Sequence, residues 1–492
     1  MRVTQLAFLS CIVSASLGVL AAACGQTNTN DGPSPGAEAG ADVVAPPADA
    51  GTPGDADAAD APVYPYPAKA PVDPPQVMTL GGPVMTAPKI VPIFFANDPD
   101  KTTQMSVADF VSKVGHTNFW KAVTTEYGVG AATGLTPIVL TAEDNPPAML
   151  DDSAIEPWLA AKLNSNDPAW PKPDGNTLYA LFYPATTTIT LGGDAGAPGN
   201  DAGPDAGGDD AAAADGGTPD TSAAPPADAG GVDGGGPPGG GVETSCVYFG
   251  GYHQNIQLDQ NHDFLDVAYA VLPRCPGYDG LSALDTLTSA ASHEFLEAAT
   301  DPFPVDTPAY YTADYANFYW ASFLGGGEIG DMCAQFQSSF TKFPDMPLYE
   351  VQRSWSNKAA KAGQEPCVPA LAGEVYFNTV PVMTLVPTSY EGMTVTAWGA
   401  QIAMGASKTI PLNLFSTAPT SGPWTVSATD TAAAAGRPAE LAFTFDKTTG
   451  QNGDTIQMTV KVVAASKRNR ETFIVQSQLG TQTNIWLGIV VN

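Results

Sequence analysis

The residues best suited to chemistry lie in the run ASHEFLEAATDP at 291–302. On a helix, His293 and Glu297 project about 40° apart, so an imidazole and a carboxylate converge on one point. A zinc-binding helix begins to hold its ion in this way. In the common HExxH form both ligands are histidine, and the intervening glutamate activates a water on the metal. Here the string reads HExxE, which assigns His293 and Glu297 as ligands and Glu294 as general base. The competing reading is a His–Glu pair on a solvated helix face, because the apolar stripe Leu284, Leu287, Ala291, Phe295 and Ala298 runs opposite.

Further ligands are sought downstream. In GEIGDMC at 327–333, Glu328 and Asp331 stand three residues apart and share a face if this stretch is helical. Gluzincin-type proteases place their third ligand on a carboxylate a few tens of residues after the first pair. The expectation is therefore Glu328 as third ligand and Asp331 as the acid supporting the ligand histidine. No other nucleophile competes: there is no GxSxG element and no Cys-centred motif. Ser292 diverges from its neighbour His293 on a helix, so the two cannot pair in the manner of a triad.

These groups need a scaffold. Periodicity predicts a strand at 90–95, a helix at 106–127 carrying Phe110, Val114 and Trp120, and a helix from Ser153, where Ser153 and Glu156 have capping-box spacing. Strands follow at 178–183, 247–252 and 267–272, then a helix at 284–300 stopped by Asp301-Pro302. Residues 76–371 thus read as one α+β domain of zincin-like type, a mixed sheet with an active-site helix. From 372 to 492 the pattern shortens to alternating runs such as Leu441, Phe443 and Phe445, then Ile456, Met458, Val460 and Val462, with Asn452-Gly453 as a hairpin turn between them. This second unit reads as an immunoglobulin-like β-sandwich without a catalytic constellation, an accessory or adhesion-type module.

Taken in order, FWKAVTTEY (119–127), GGYHQ (250–254), YAVLPRCPG (269–277), ASHEFLEAATDP (291–302) and EIGDMC (328–333) resemble the phosphate-induced protein 1 or EXORDIUM-like family and its bacterial relatives. In that family a helix of the HExxEAxT type is followed by an EIxDxC element. The likeness covers about residues 80–370 without the Gly-rich insertion and stops before the C-terminal unit. It implies a metallopeptidase-type fold with a metal site, although the plant members are extracellular growth-associated proteins without a settled enzymatic role. It also brings forward His253 of GGYHQ as an alternative third ligand, since zinc prefers two histidines and one carboxylate over one histidine and two. The bland alternative for His253 is a strand-end histidine bonded to backbone. His116 and His262 read as structural or surface residues. Zinc is the expected ion, with calcium or no ion as alternatives.

The chain's ends and linkers suggest where it works. Arg2 precedes an apolar run that closes as LAAACG at 20–25, which resembles a bacterial lipobox. Residues 1–23 are then a lipoprotein signal peptide and Cys24 the acylated N-terminus, anchoring the protein to a membrane of the cell envelope, outer membrane or cell surface; plain secretion is the alternative. Residues 24–75 and 192–242 are built from Ala, Gly, Pro and Asp, cannot bury enough apolar surface to order themselves, and read as a tether and as a spacer inserted in the first domain. Of the 51 acidic residues in the chain, 16 fall in 25–62 and 192–242, about half of the formal net charge of -31. The remaining body is moderately acidic, which excludes a nucleic-acid partner. Once Cys11 and Cys24 are set aside, Cys246, Cys275, Cys333 and Cys367 are left, and an even count in an exported chain argues for two disulfides. The local pairings Cys246–Cys275 and Cys333–Cys367 are favoured over a four-cysteine zinc site, because no CxxC pair is present.

Two functions follow. One is a zinc-dependent peptidase or hydrolase acting at the envelope or surface. The other is a non-catalytic surface-binding or adhesion protein on the same scaffold, directed at a peptide or cell-surface ligand. A carboxylate in place of the second histidine lowers the Lewis acidity of zinc and leans toward the latter.

Overall fold

Four strands, three of them rich in β-branched and aromatic residues, form the body of the first sheet. They are β1 (Lys89–Phe94), β2 (Thr177–Tyr183), β3 (Tyr252–Gln260) and β4 (Asp263–Pro273). Their spatial order is β1-β2-β4-β3, with the short strands Thr133–Gly134 and Ile138–Val139 beside β1. β1, β2 and β4 run parallel, and β3 is an antiparallel edge. This computed structural model describes residues 72–191 and 242–492, apart from 166, 261, 262, 279, 391 and 465–469, together with Tyr66 and Ala70. The expected signal peptide, Cys24, most of the expected tether, residues 192–241 and His262 lie outside the described residues.

Parallel strands are buried on both faces, and here helices cover both. α1 (Lys101–Val114), α2 (Asn118–Thr124), α3 (Ile155–Asn164) and α4 (Ala283–Thr300) supply the layers. α1, α2 and α4 share one core, in which Phe94, Phe110, Trp120, Phe182 and Phe295 meet. On the opposite face, Ile155 and Leu159 of α3 pack with Val91, Tyr179 and Val271. The domain is mixed α/β.

Several boundaries differ from expectation. The helix expected at 106–127 is broken between α1 and α2. Gly115 approaches Ala132 so closely that a Cβ would stand 2.2 Å from its carbonyl oxygen. Thr117 then restarts the helix by capping the Trp120 N–H. Ser153 does not cap α3; Asp151 accepts the Ser153 N–H instead, within a short 3-10 turn. The strand expected at 247–252 is a turn, with Cys246 at φ 66, and pairing begins only at Tyr252. On either side of 192–241, Leu191 and Glu243 are paired Cα partners in a separate three-stranded sheet.

Both expected disulfides form, Cys246–Cys275 and Cys333–Cys367. The four-cysteine zinc alternative thereby falls away. The first joins the turn before β3 to the end of β4, and the second ties the segment after α4 to Cys367–Val368.

The C-terminal unit consists of a four-stranded and a six-stranded sheet packed as a β-sandwich. Phe377 and Trp424 meet across the two sheets at 5.1 Å, and Phe443 and Phe473 at 5.8 Å. Leu441–Phe445 and Thr455–Val462 do pair, but Asn452-Gly453 is not a tight hairpin between them. The connection 446–454 also carries Thr449–Gly450, which bonds to Trp424 and Thr425. The sandwich docks on the first domain through Phe318 against Tyr390 and Trp320 against Trp486.

Candidate metal centre

α4 is defined locally at both ends. Ser282 and Asp285 form a capping box at its start, and at its end the Asp301 N–H bonds to the Glu297 carbonyl ahead of Pro302. Its apolar stripe faces the sheet, as the spacing predicts. The opposite face is covered as well, by β5 (Met346–Gln352) and by the segment 325–334, whose last residues form the one-turn helix α5 (Asp331–Ala334). His293, Glu294 and Glu297 are each 1% exposed, so the solvated-face reading is overturned.

Three other elements bring polar groups to the same place. β3 contributes His253, which is paired with Ala270 and lies on the α4 side of the sheet, while Tyr252 points into the other core. The 325–334 segment contributes Glu328 and Asp331, and β5 contributes Gln352. All are buried. His116 stays at the surface.

Hydrogen bonds decide which imidazole nitrogens face the carboxylates. The Gln352 amide donates to the Gly330 carbonyl at 2.8 Å, so its Oε1 must accept from His293 Nδ1, 3.0 Å away. His293 Nε2 is then the lone-pair nitrogen. It stands 2.9 Å from Glu297 Oε2 and 3.7 Å from Asp331 Oδ1. Glu297 Oε1 accepts the backbone N–H groups of Gly330 and Asp331 at 2.9 and 3.0 Å, which aims Oε2 at the histidine. For His253, Nε2 reaches the Asp301 carbonyl at 3.2 Å and so carries the hydrogen. Its Nδ1 faces Glu294 Oε2 at 3.4 Å and Glu297 Oε2 at 3.8 Å.

A lone pair facing carboxylate oxygens at these distances needs a cation among them. Without metal it is a proton. Burial alone would lower the His293 pKa, but Glu297, then Glu294 and Asp331, outweigh it and hold the imidazolium well above its ordinary range. Burial would raise Glu297, yet His293 holds that carboxyl below its usual value, whereas burial wins at Glu294 and raises it despite His253. Among the described residues neither Glu294 nor Glu297 pairs with a Lys or Arg; Arg274 and Arg353 are committed to Asp98 and Glu374. A metal ion bound here must displace that proton.

Two sets of ligand atoms lie within 4.8 Å of one another: His293, Glu297 and Asp331, and His253, Glu294 and Glu297. The expected pair His293 and Glu297 is therefore joined by Asp331. Glu328, the favoured third ligand from the spacing, lies beside His253 instead, with Oε1 3.6 Å from Nε2. Glu328 also donates its N–H to Asp331 Oδ2 at 3.2 Å, which turns the other oxygen of Asp331 toward His293.

Reading the sequence missed several residues. Gln352 carried no local signal, because its importance arises from β5 lying across α4; its N–H bonds to Ser292 Oγ at 2.9 Å. The glycines did carry one. A Cβ at Gly330 would meet Glu297 Oε1 at 2.7 Å and His293 Cε1 at 2.8 Å, and one at Gly251 would meet Glu294 Oε1 at 3.0 Å. Glycine at these places lets the backbone approach the carboxylates. Replacing Gln352 by alanine frees the His293 ring and its tautomer; the expected result is a metal affinity reduced about 10- to 100-fold, measured by competition with a chromogenic chelator.

Comparison with known proteins adds little. No protein-family model matches the chain, and no curated protein matches it. Among solved structures, domains 4 and 5 of the S-layer protein SbsC are similar to 25% of this chain, over 81% of their own length, at 20% identity and a TM-score of 0.15. The titin M3 domain covers 19% of the chain and 85% of itself at 9% identity and TM-score 0.13. A Bacteroides ovatus GH5 xyloglucanase covers 19% of the chain and 17% of itself at 17% identity and TM-score 0.13.

Proposed function

We propose that this chain is an exported, lipid-anchored metalloprotein of the cell envelope, with a zincin-like core that acts as a zinc-dependent peptidase or hydrolase. The supporting observation is the lone-pair nitrogen of His293, oriented by Gln352 and facing Glu297 and Asp331 in a buried site. Two disulfides suit an oxidising compartment. No helix among the described residues is long and apolar enough to cross a membrane, and the anchor of this reading is lipid on Cys24.

His293 Nε2, Glu297 Oε2 and Asp331 Oδ1 would hold the ion. Zinc bound there supplies Lewis acidity to a water and a substrate carbonyl. Glu294, whose carboxyl is raised by burial, takes the water's proton and passes it to the leaving amine. Gln352 keeps His293 in its ligating tautomer, and the Gly330 and Asp331 amides aim Glu297 Oε2 at His293.

Burial of the whole centre favours a second reading, because structural metal sites are closed whereas catalytic ones keep an open position. In that reading the protein is a non-catalytic surface-binding module and the ion braces α4 against α5. A peptide-library cleavage assay on the purified full-length protein with zinc separates the two. For the hydrolase, Glu294→Gln should lower turnover by about 10²- to 10⁴-fold while the ion held by His293, Glu297 and Asp331 is kept. Absence of cleavage in the wild type, with metal bound, would establish the structural role.

A further inference from the structure

The centre contains more ligands than one ion uses. We infer that it has a second cation position, formed by His253 Nδ1, Glu294 Oε2 and Glu297 Oε2, so that Glu297 bridges two divalent ions. The inference rests on the metal-binding part of the reading above.

Geometry supports it first. Ligands of one tetrahedral ion with bonds of about 2.1 Å stand about 3.4 Å apart. His253 Nδ1 lies 3.4 Å from Glu294 Oε2 and 3.8 Å from Glu297 Oε2. The first position shows a similar spread, 2.9 and 3.7 Å from His293 Nε2. Both imidazoles are oriented from behind by an acceptor, Gln352 Oε1 for His293 and the Asp301 carbonyl for His253. Each therefore presents a lone pair to the carboxylates, the arrangement in which an outer acceptor fixes a ligand histidine. Glu294 Oε1 is buried with no hydrogen-bond partner and faces Gly251, where any side chain would crowd it.

Charge supports it independently. Glu294, Glu297, Glu328 and Asp331 are each 1% exposed in one cluster with two imidazoles. One divalent ion among four carboxylates leaves two negative charges for protons to neutralise, whereas two ions balance all four. Buried charge is tolerated when paired or coordinated. With Glu297 Oε1 held by two backbone amides, the bridge runs through Oε2 alone, which sets the ions about 4 Å apart or less. A carboxylate that holds a cation is not free to take a proton. Filling the second position therefore silences Glu294 as a base, and hydrolysis falls as the second ion binds.

The test is metal stoichiometry on the full-length protein, with Zn²⁺ and then Mn²⁺ as probes. Wild type should bind two ions by mass spectrometry and equilibrium dialysis, and the Mn²⁺ form should give the exchange-coupled spectrum of a close pair in electron paramagnetic resonance. His253→Ala and His253→Gln should each bind one ion and give an isolated-ion spectrum. One ion in wild type would overturn the second position and leave the metalloprotein reading standing. None would overturn both. Two ions in both His253 variants would place the second ion elsewhere and overturn the assignment.

Discussion

Replacing Glu297 by alanine is expected to empty the centre of metal altogether, the largest effect of any single substitution in the chain. Glu297 is the one side chain common to both ligand sets. It also accepts the N–H groups of Gly330 and Asp331, which lose their acceptor when it is removed, at about 1–3 kcal/mol each. A second readout is thermal. Metal at a thousand times its dissociation constant stabilises the native state by about 4 kcal/mol, so the wild type should melt at a higher temperature with zinc than with a chelator. Glu297→Ala should melt at one temperature in both. A zinc-dependent shift that survived in the variant would show that the ion sits elsewhere.

Alanine at Gly326 should do comparable damage from outside the ligand set. A Cβ there would lie 1.8 Å from Asp331 Oδ2 and 2.3 Å from its Cγ, closer than any real contact. Asp331 must move, and in moving it gives up its place 3.7 Å from His293 Nε2. The expected outcome is loss of the ion at His293 together with a destabilisation of about 1–3 kcal/mol from overpacking, read by urea unfolding of metal-free protein. Gly422→Ala is the control, since nothing lies within 4 Å of a Cβ at that position, and it should change stability by no more than about 0.5 kcal/mol. If Gly326→Ala bound metal as tightly as the control, Asp331 would not be a ligand.

Local features of the chain were readable in advance. The helix 284–300 could be recognised because Asp301-Pro302 stops it and no Pro or Gly interrupts it, and its HExxE string placed His293 and Glu297 side by side through helical geometry alone. The even count of the four remaining cysteines argued for two disulfides, and the favoured local pairing is the one that forms. Alternation beyond residue 372 announced sheets. Where the reading slipped, the decisive contact was distant in sequence. Gly115, at the end of α1, lies close against Ala132, and Cys246, in the turn that replaces the 247–252 strand, is bonded to Cys275.

The composition of the site was likewise written in the chain, while its arrangement was not. His293, Glu294, Glu297, Glu328 and Asp331 were recognisable as candidates because residue type and short-range spacing are properties of the sequence, and His253 through the family resemblance. Which acid stands beside which imidazole depends on how β3, α4, α5 and β5 pack, since a side-chain shift of a few ångströms exchanges Asp331 for Glu328 as the neighbour of His293. The burial that turns a surface-looking helix face into a closed centre comes from β5 and Gln352, more than fifty residues from His293 in sequence. A helix carries its own hydrogen bonds and so declares itself locally; a buried polar cluster exists only where several segments exclude water together, and that is a property of the tertiary fold.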